Sequence, residues 1–197
     1  MNVRILKSLV VVAAGGLAAA GCSEFKHPVG GLNAEAVRAL ATMAGPGGAF
    51  VWMPTRDAAN DIARKRREGR GPVDLWTGGR PRPELVEVLE AIAATDLVLA
   101  SGHLDPDETL AVLDLARSAG CTRMVVTHVT AAVTAFGADR AVEAARRGAL
   151  VEICARNLYS VRTGTAAPAP SRDRAAVEVV RRVGPGACVL SSDLGDT

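Results

Sequence analysis

The stretch LVLASGH, residues 97–103, is an apolar run that ends on a histidine. Two further runs have the same form: MVVTH at 124–128 and CVLSSD at 188–193. Each run is too short for a helix and too apolar to alternate, which predicts a buried parallel strand. The polar residue comes just after the strand, at the edge where ligands bind in folds built from βα repeats. The sequence therefore predicts that two histidines and one aspartate lie together at one edge of a sheet.

These three residues, His103, His128 and Asp193, are candidate metal ligands. Imidazole and carboxylate groups bind zinc, manganese and iron. We therefore expect a divalent metal as cofactor, zinc in the first place, with manganese or iron as alternatives.

Around the three runs, predicted strands and helices alternate with short connections from residue 49 to residue 190. Helices are predicted at 34–43, 83–94, 139–147 and 172–183, with another that begins at Pro106 and is closed by Gly120, and further strands at 49–53 and 150–154. Their starts carry capping signals, such as Asn33 and the Asp105-Pro106 pair. This alternation predicts an α/β fold with a parallel sheet, most simply a TIM-barrel-like (β/α) domain. A doubly wound sheet is the alternative, but the glycine-rich turn at 45–48 precedes a strand instead of following one.

Composition limits the class of protein. The chain has 197 residues, 49% of them hydrophobic, and a net charge of +2. We therefore expect a single domain over residues 1–197 and no nucleic-acid partner. The basic cluster at 64–67 is interpreted as a solvated surface. Residues 56–82 are predicted to form a long βα loop or an insertion.

Four cysteines show no metal or redox spacing, and Cys154 and Cys188 are predicted to pack as small apolar residues. This usage favours a reducing, cytoplasmic compartment. Residues 1–22 leave a second interpretation open, because a short apolar run before Cys22 is typical of a lipoprotein signal, which would make the protein membrane-anchored. The other interpretation of this segment is a strand at 3–6 followed by an alanine-rich helix.

The order Ser-Gly-His, Thr-His, Ser-Ser-Asp on successive strands resembles the amidohydrolase superfamily of metal-dependent barrel hydrolases. The segments at 29–33, 51–55, 100–103 and 191–195 are similar, as a set, to an uncharacterised amidohydrolase-like family. The resemblance implies that His103 ends strand five, His128 strand six and Asp193 strand eight. It also implies that Asp193 both binds metal and acts as the general base.

The chain departs from this pattern because the paired His-x-His of strand one is absent. The resemblance then implies an incomplete barrel, running from about strand two to strand eight. Lys7 would end strand two, either as a support or additional ligand of the metal site or as an ordinary signal-peptide or surface lysine. Glu152, an acid within an apolar strand, is either a support or additional ligand of the metal site or an outward residue paired with an arginine.

Three functional hypotheses follow. The first is a metal-dependent hydrolase that acts on a C–N or C–O bond of a small molecule through a metal-activated water. The second is a degenerate, non-catalytic barrel fragment that self-associates through an open barrel edge. The third is a lipid-anchored solute-binding protein.

Overall fold

Strands and helices alternate along the chain in a computed structural model that describes residues 11–13, 16–17, 31–44, 48–65, 71–155 and 170–192. The strands are β1 (Val11–Ala13), β2 (Gly16–Leu17), β3 (Phe50–Trp52), β4 (Trp76–Thr77), β5 (Arg80–Pro81), β6 (Val98–Ala100), β7 (Met124–Val126), β8 (Leu150–Cys154) and β9 (Cys188–Ser191). The helices are α1 (Ala34–Met43), α2 (Ala59–Lys65), α3 (Pro83–Ala94), α4 (Pro106–Ser118), α5 (Gly137–Arg146) and α6 (Pro170–Val183). The predicted α/β class is confirmed.

The main sheet has the strand order β2-β1-β3-β6-β7-β8-β9. From β1 to β9 all neighbours are parallel, and only β2 is antiparallel. Each parallel strand is therefore added beside the one before it, without the reversal of order that defines a doubly wound sheet. The described part of the chain has the winding of a partial TIM barrel, and the doubly wound alternative is wrong.

The helices form one layer, because consecutive helices pack on each other from α1 to α3, α4, α5 and α6. Crossovers of one hand between neighbouring parallel strands place these five helices on the same side of the sheet. Side chains such as Val51, Leu99, Val126 and Ile153 point to that side and are buried in the hydrophobic core.

The opposite face of the sheet carries the alternate residues of each strand. The parallel register aligns Trp52 with Ala100, and Ala100 with Val125. By the two-residue period of strands, Glu152 and Cys154 share this face, away from the helices. The acid of β8 is thus excluded from the helix-side core.

Two predicted helix starts are confirmed in detail. The Asn33 side chain accepts a hydrogen bond from the Ala36 amide at 3.1 Å. The Asp105 carboxylate accepts from the amides of Asp107 and Glu108, each at 2.9 Å. Such caps satisfy amides that have no partner within the helix, and each contributes about 1 kcal/mol.

One prediction gains detail and another needs correction. Residues 56–82, predicted as a long βα loop or an insertion, lie between β3 and α3, and their described part contains α2 and the β4–β5 hairpin; the basic cluster begins on α2 with Arg64. The alanine-rich helix expected after the first strand is wrong for residues 11–13 and 16–17, which pair as β1 and β2. The strand predicted at 3–6 lies outside the described residues.

None of the helices among the described residues combines the length and the apolar character that a membrane span requires.

Candidate functional site

Four polar side chains lie along the carboxyl edge of the parallel sheet. His103 follows β6, His128 follows β7, Glu152 lies within β8, and Cys154 is the last residue of β8. Neighbouring parallel strands end at the same edge, so these side chains come from three adjacent positions in the sheet. The ring centroids of the two histidines are 5.5 Å apart.

His128, Glu152 and Cys154 form the tightest group at this edge. The Nδ1 atom of His128 lies 3.2 Å from the Cys154 Sγ and 3.5 Å from the Glu152 Oε2. One candidate ligand atom from each residue lies within 4.8 Å of the other two. We name these three residues the β7–β8 donor set.

The backbone at His128 holds the donor set in place. His128 has a φ of 56°, in the left-handed region, which turns the chain sharply after β7. Its amide donates to the Glu152 Oε2 at 3.1 Å, and its carbonyl accepts from the Thr134 hydroxyl at 2.7 Å. An unusual backbone conformation of this kind persists where surrounding contacts hold it, as they do here.

Cys154 connects the donor set to the last strand. Its Sγ lies 3.0 Å from the Ser191 Oγ, and the two residues are register partners in β8 and β9. Cys154 is fully buried. It is therefore not only the small packing residue that the sequence predicted, since two polar groups surround its thiol.

Two further cysteines, Cys121 and Cys188, lie away from the donor set. Burial raises the pKa of Cys121 to about 11, and burial also raises the pKa of Cys188 above its ordinary value. These thiols donate to the Leu89 and Gly184 carbonyls respectively. Both thiols stay protonated at neutral pH, which suits a packing role.

His103 is held by a second carboxylate. Its Nδ1 lies 3.0 Å from the Oδ1 of Asp61, a residue of α2 whose side chain is 0% exposed. The His103 amide donates to the Pro54 carbonyl at 3.0 Å, which fixes the loop after β6 against the loop after β3.

Gly102 makes this close approach feasible. Its φ is +63°, and a Cβ built on it would lie 2.4 Å from the Met53 carbonyl oxygen and 2.5 Å from that of Pro54. No side chain fits there, so only glycine allows His103 to follow β6 at this position.

Glu152 carries a carboxylate that is buried beside His128. Its side chain is only 11% exposed, and no lysine or arginine among the described residues forms an ion pair with it. A buried carboxylate is stabilised by hydrogen bonds and by a nearby positive charge. Glu152 accepts the His128 amide hydrogen bond, and a bound cation would supply the charge, whereas the arginine partner considered for Glu152 is not found among the described residues.

The predicted site residues divide into two groups. The structure brings His103, His128 and Glu152 to one edge, while Asp193 and Lys7 lie outside the described residues. Among the described residues, the donor set places Glu152 and Cys154 beside His128. The predicted trio of His103, His128 and Asp193 stays a prediction, because Asp193 is not among them.

Sequence reasoning missed Cys154 and Asp61. Cys154 ends its strand and lies two residues after Glu152, so the rule that selected His103 and His128 would also have found it. Asp61 carried no such signal, because it belongs to a helix that the sequence did not predict.

Comparisons with known proteins give a family and one distant structural likeness. Residues 2–152 match the model of a family of unknown function, DUF6282. No curated protein matches the sequence. A solved structure from Pseudomonas putida, named as a 2-pyrone-4,6-dicarboxylic acid hydrolase, is 15% identical with a TM-score of 0.37. The likeness covers 83% of this chain but 63% of that one, so this chain spans less than two thirds of its length.

Proposed function

We propose that this chain, which belongs to the DUF6282 family of unknown function, is a metal-dependent hydrolase of amidohydrolase type. The reaction would cleave a C–N or C–O bond of a small molecule. The observation that carries this proposal is the β7–β8 donor set: an imidazole nitrogen, a carboxylate oxygen and a thiol sulfur within 4.8 Å of one another at the carboxyl edge of the sheet.

The chemistry of the donor set fits a zinc ion. Zinc binds nitrogen, oxygen and sulfur ligands, and catalytic zinc sites keep a position open for water and can expand to five ligands, which would accommodate the donor set, His103 and a water. Manganese prefers oxygen-rich sites, so the thiol of Cys154 favours zinc over manganese. A divalent cation would also balance the buried charge of Glu152.

Each residue has a defined part in this proposal. His128, Glu152 and Cys154 would hold the metal, and His103 is proposed as a further ligand. When bound, the metal supplies Lewis acidity and lowers the pKa of its water. Asp193 is proposed to accept the proton of the attacking water, because it lies two residues beyond Ser191, whose hydroxyl is 3.0 Å from the Cys154 thiol.

Cobalt substitution tests the donor set directly. Cobalt(II) bound to a thiolate gives an intense charge-transfer absorption, and equilibrium dialysis measures zinc affinity in parallel. We expect Cys154→Ser to abolish the band and His128→Ala to weaken zinc binding. Cys188→Ser is the matched control and should leave both unchanged. A thiolate band that persists in Cys154→Ser would rule out Cys154 as a ligand.

Hydrolysis is tested separately from metal binding. A panel of amides, lactones and phosphoesters would be assayed with the zinc-loaded protein and with Asp193→Asn. We expect zinc-dependent turnover that Asp193→Asn abolishes. Stoichiometric zinc binding with no turnover across the panel would instead favour the degenerate, non-catalytic hypothesis.

A further inference from the structure

We propose that Asp61 is a positioning residue: it holds the proton of neutral His103 on Nδ1, so that Nε2 carries the lone pair for a metal ion. The observation is the 3.0 Å contact between the His103 Nδ1 and the Asp61 Oδ1, with Asp61 fully buried on α2. The inference deepens the proposed function, and it rests on that function only for the identity of the ligand at Nε2.

The tautomer follows from the hydrogen-bonding capacity of the two groups. An ionised carboxylate only accepts hydrogen bonds, so the imidazole nitrogen that contacts it must donate. In a neutral imidazole the other nitrogen then holds the lone pair. Metal-binding histidines commonly donate their second N–H to a carboxylate, which fixes the ring and makes the ligating nitrogen more basic.

The neighbouring residue on α2 fixes the backbone of the same histidine. The Asn60 amide nitrogen donates to the His103 carbonyl at 3.0 Å and to the Val133 carbonyl at 2.7 Å. Its amide oxygen accepts from the Arg64 Nε at 2.8 Å, which determines which end of the amide faces the carbonyls. Asn60 and Asp61 therefore anchor one loop by its backbone and its ring.

Asn60 also reaches the loop that carries the second histidine. Val133 precedes Thr134, whose hydroxyl donates to the His128 carbonyl at 2.7 Å. One turn of α2 thus joins both histidine loops. The two rings have complementary roles, since His128 directs Nδ1 toward Cys154 and Glu152 while His103 directs Nδ1 toward Asp61.

The tautomer can be measured in the metal-free protein. Long-range 1H–15N correlation spectra distinguish a protonated Nδ1 from a protonated Nε2, and the chain has only three histidines. Spectra would be recorded well above the ordinary imidazole pKa of about 6.5. The His103 signals are identified by their loss in His103→Asn. We expect the proton on Nδ1 in the wild type; a proton on Nε2 would overturn the inference, whatever the variants do.

The dependence on Asp61 is tested by substitutions of the same size. Asp61→Asn should abolish the preference for Nδ1–H. Asp57→Asn, at an exposed position of the same segment, is the matched control. Circular dichroism establishes that each variant is folded, and an unchanged tautomer in folded Asp61→Asn would contradict the proposal.

Zinc affinity separates this inference from the proposed function. A lost carboxylate partner typically lowers metal affinity by about 10–100-fold. We expect a decrease of that size in Asp61→Asn and none in Asp57→Asn. If wild type binds no zinc, the proposed function fails while the tautomer result stands. If wild type binds zinc and Asp61→Asn binds it equally well, Asp61 does not position a ligand.

Discussion

Replacing Gly102 with alanine should be among the most damaging single changes in the described chain. The left-handed backbone at this position costs alanine about 1–2 kcal/mol. The new methyl group would also lie 2.4 Å and 2.5 Å from two carbonyl oxygens. Relieving an overlap in a packed site typically costs about 1–3 kcal/mol more. We therefore expect Gly102→Ala to lower the free energy of unfolding by about 2–5 kcal/mol.

Urea unfolding at fixed pH measures this loss, with Gly148→Ala as the matched control. Gly148 has a φ of +87°, but a methyl group added there would have no atom within 4 Å, so alanine bears only the backbone cost. Zinc affinity should also fall in Gly102→Ala. The backbone movement that relieves the overlap would separate the His103 amide from the Pro54 carbonyl and displace His103, a proposed ligand. Equal destabilisation of the two variants, at equal m-values, would refute the argument from close approach.

Three further changes probe other parts of the fold. Burial raises the pKa of Cys121 from 9.0 to about 11, so its contribution to stability is complete below pH 9.0 and is lost as the pH rises through 11. The loss reaches at most about 2.7 kcal/mol. The free energy of unfolding should therefore change less with pH in Cys121→Ala than in the wild type. Asp105→Ala removes two hydrogen bonds at the start of α4 and should cost about 1 kcal/mol in thermal or urea unfolding. Leu190 is 77% exposed on β9, the edge strand of the described sheet, where an apolar side chain favours pairing with another chain. Leu190→Lys should therefore shift any self-association toward monomer in size-exclusion chromatography. An unchanged elution volume of an associated wild type would contradict this.

Short apolar runs and helix-capping residues predicted the strands and helices whose conformation depends mainly on neighbouring residues in the sequence. The strand Leu150–Cys154 agrees with its predicted bounds, because a short apolar run that follows a glycine turn favours one conformation. The start of α4 agrees because Asp105 and Pro106 act on the first turn alone. The parallel sheet followed from the alternation of such elements.

What the sequence did not predict depends on contacts between distant residues. The short α2 has seven residues, and its Asn60 and Asp61 are weak helix formers, so local propensity did not indicate it. Its stability comes from partners more than forty positions away, such as His103. The polar surroundings of Cys154 likewise depend on the β8–β9 register, which no local pattern specifies.

The order of strands has a consequence for how the protein folds during synthesis. From β3 onward each parallel strand of the main sheet pairs with the parallel strand made just before it. A nascent chain can therefore extend the sheet one βα unit at a time. The loops of His103 and His128 can dock early in this process, with α2 already made. Glu152 and Cys154 arrive later on β8, and Ser191 on β9. The edge that carries the proposed metal site is therefore completed only when β8 and β9 have been made, so an ion could bind there only once the surrounding sheet is in place.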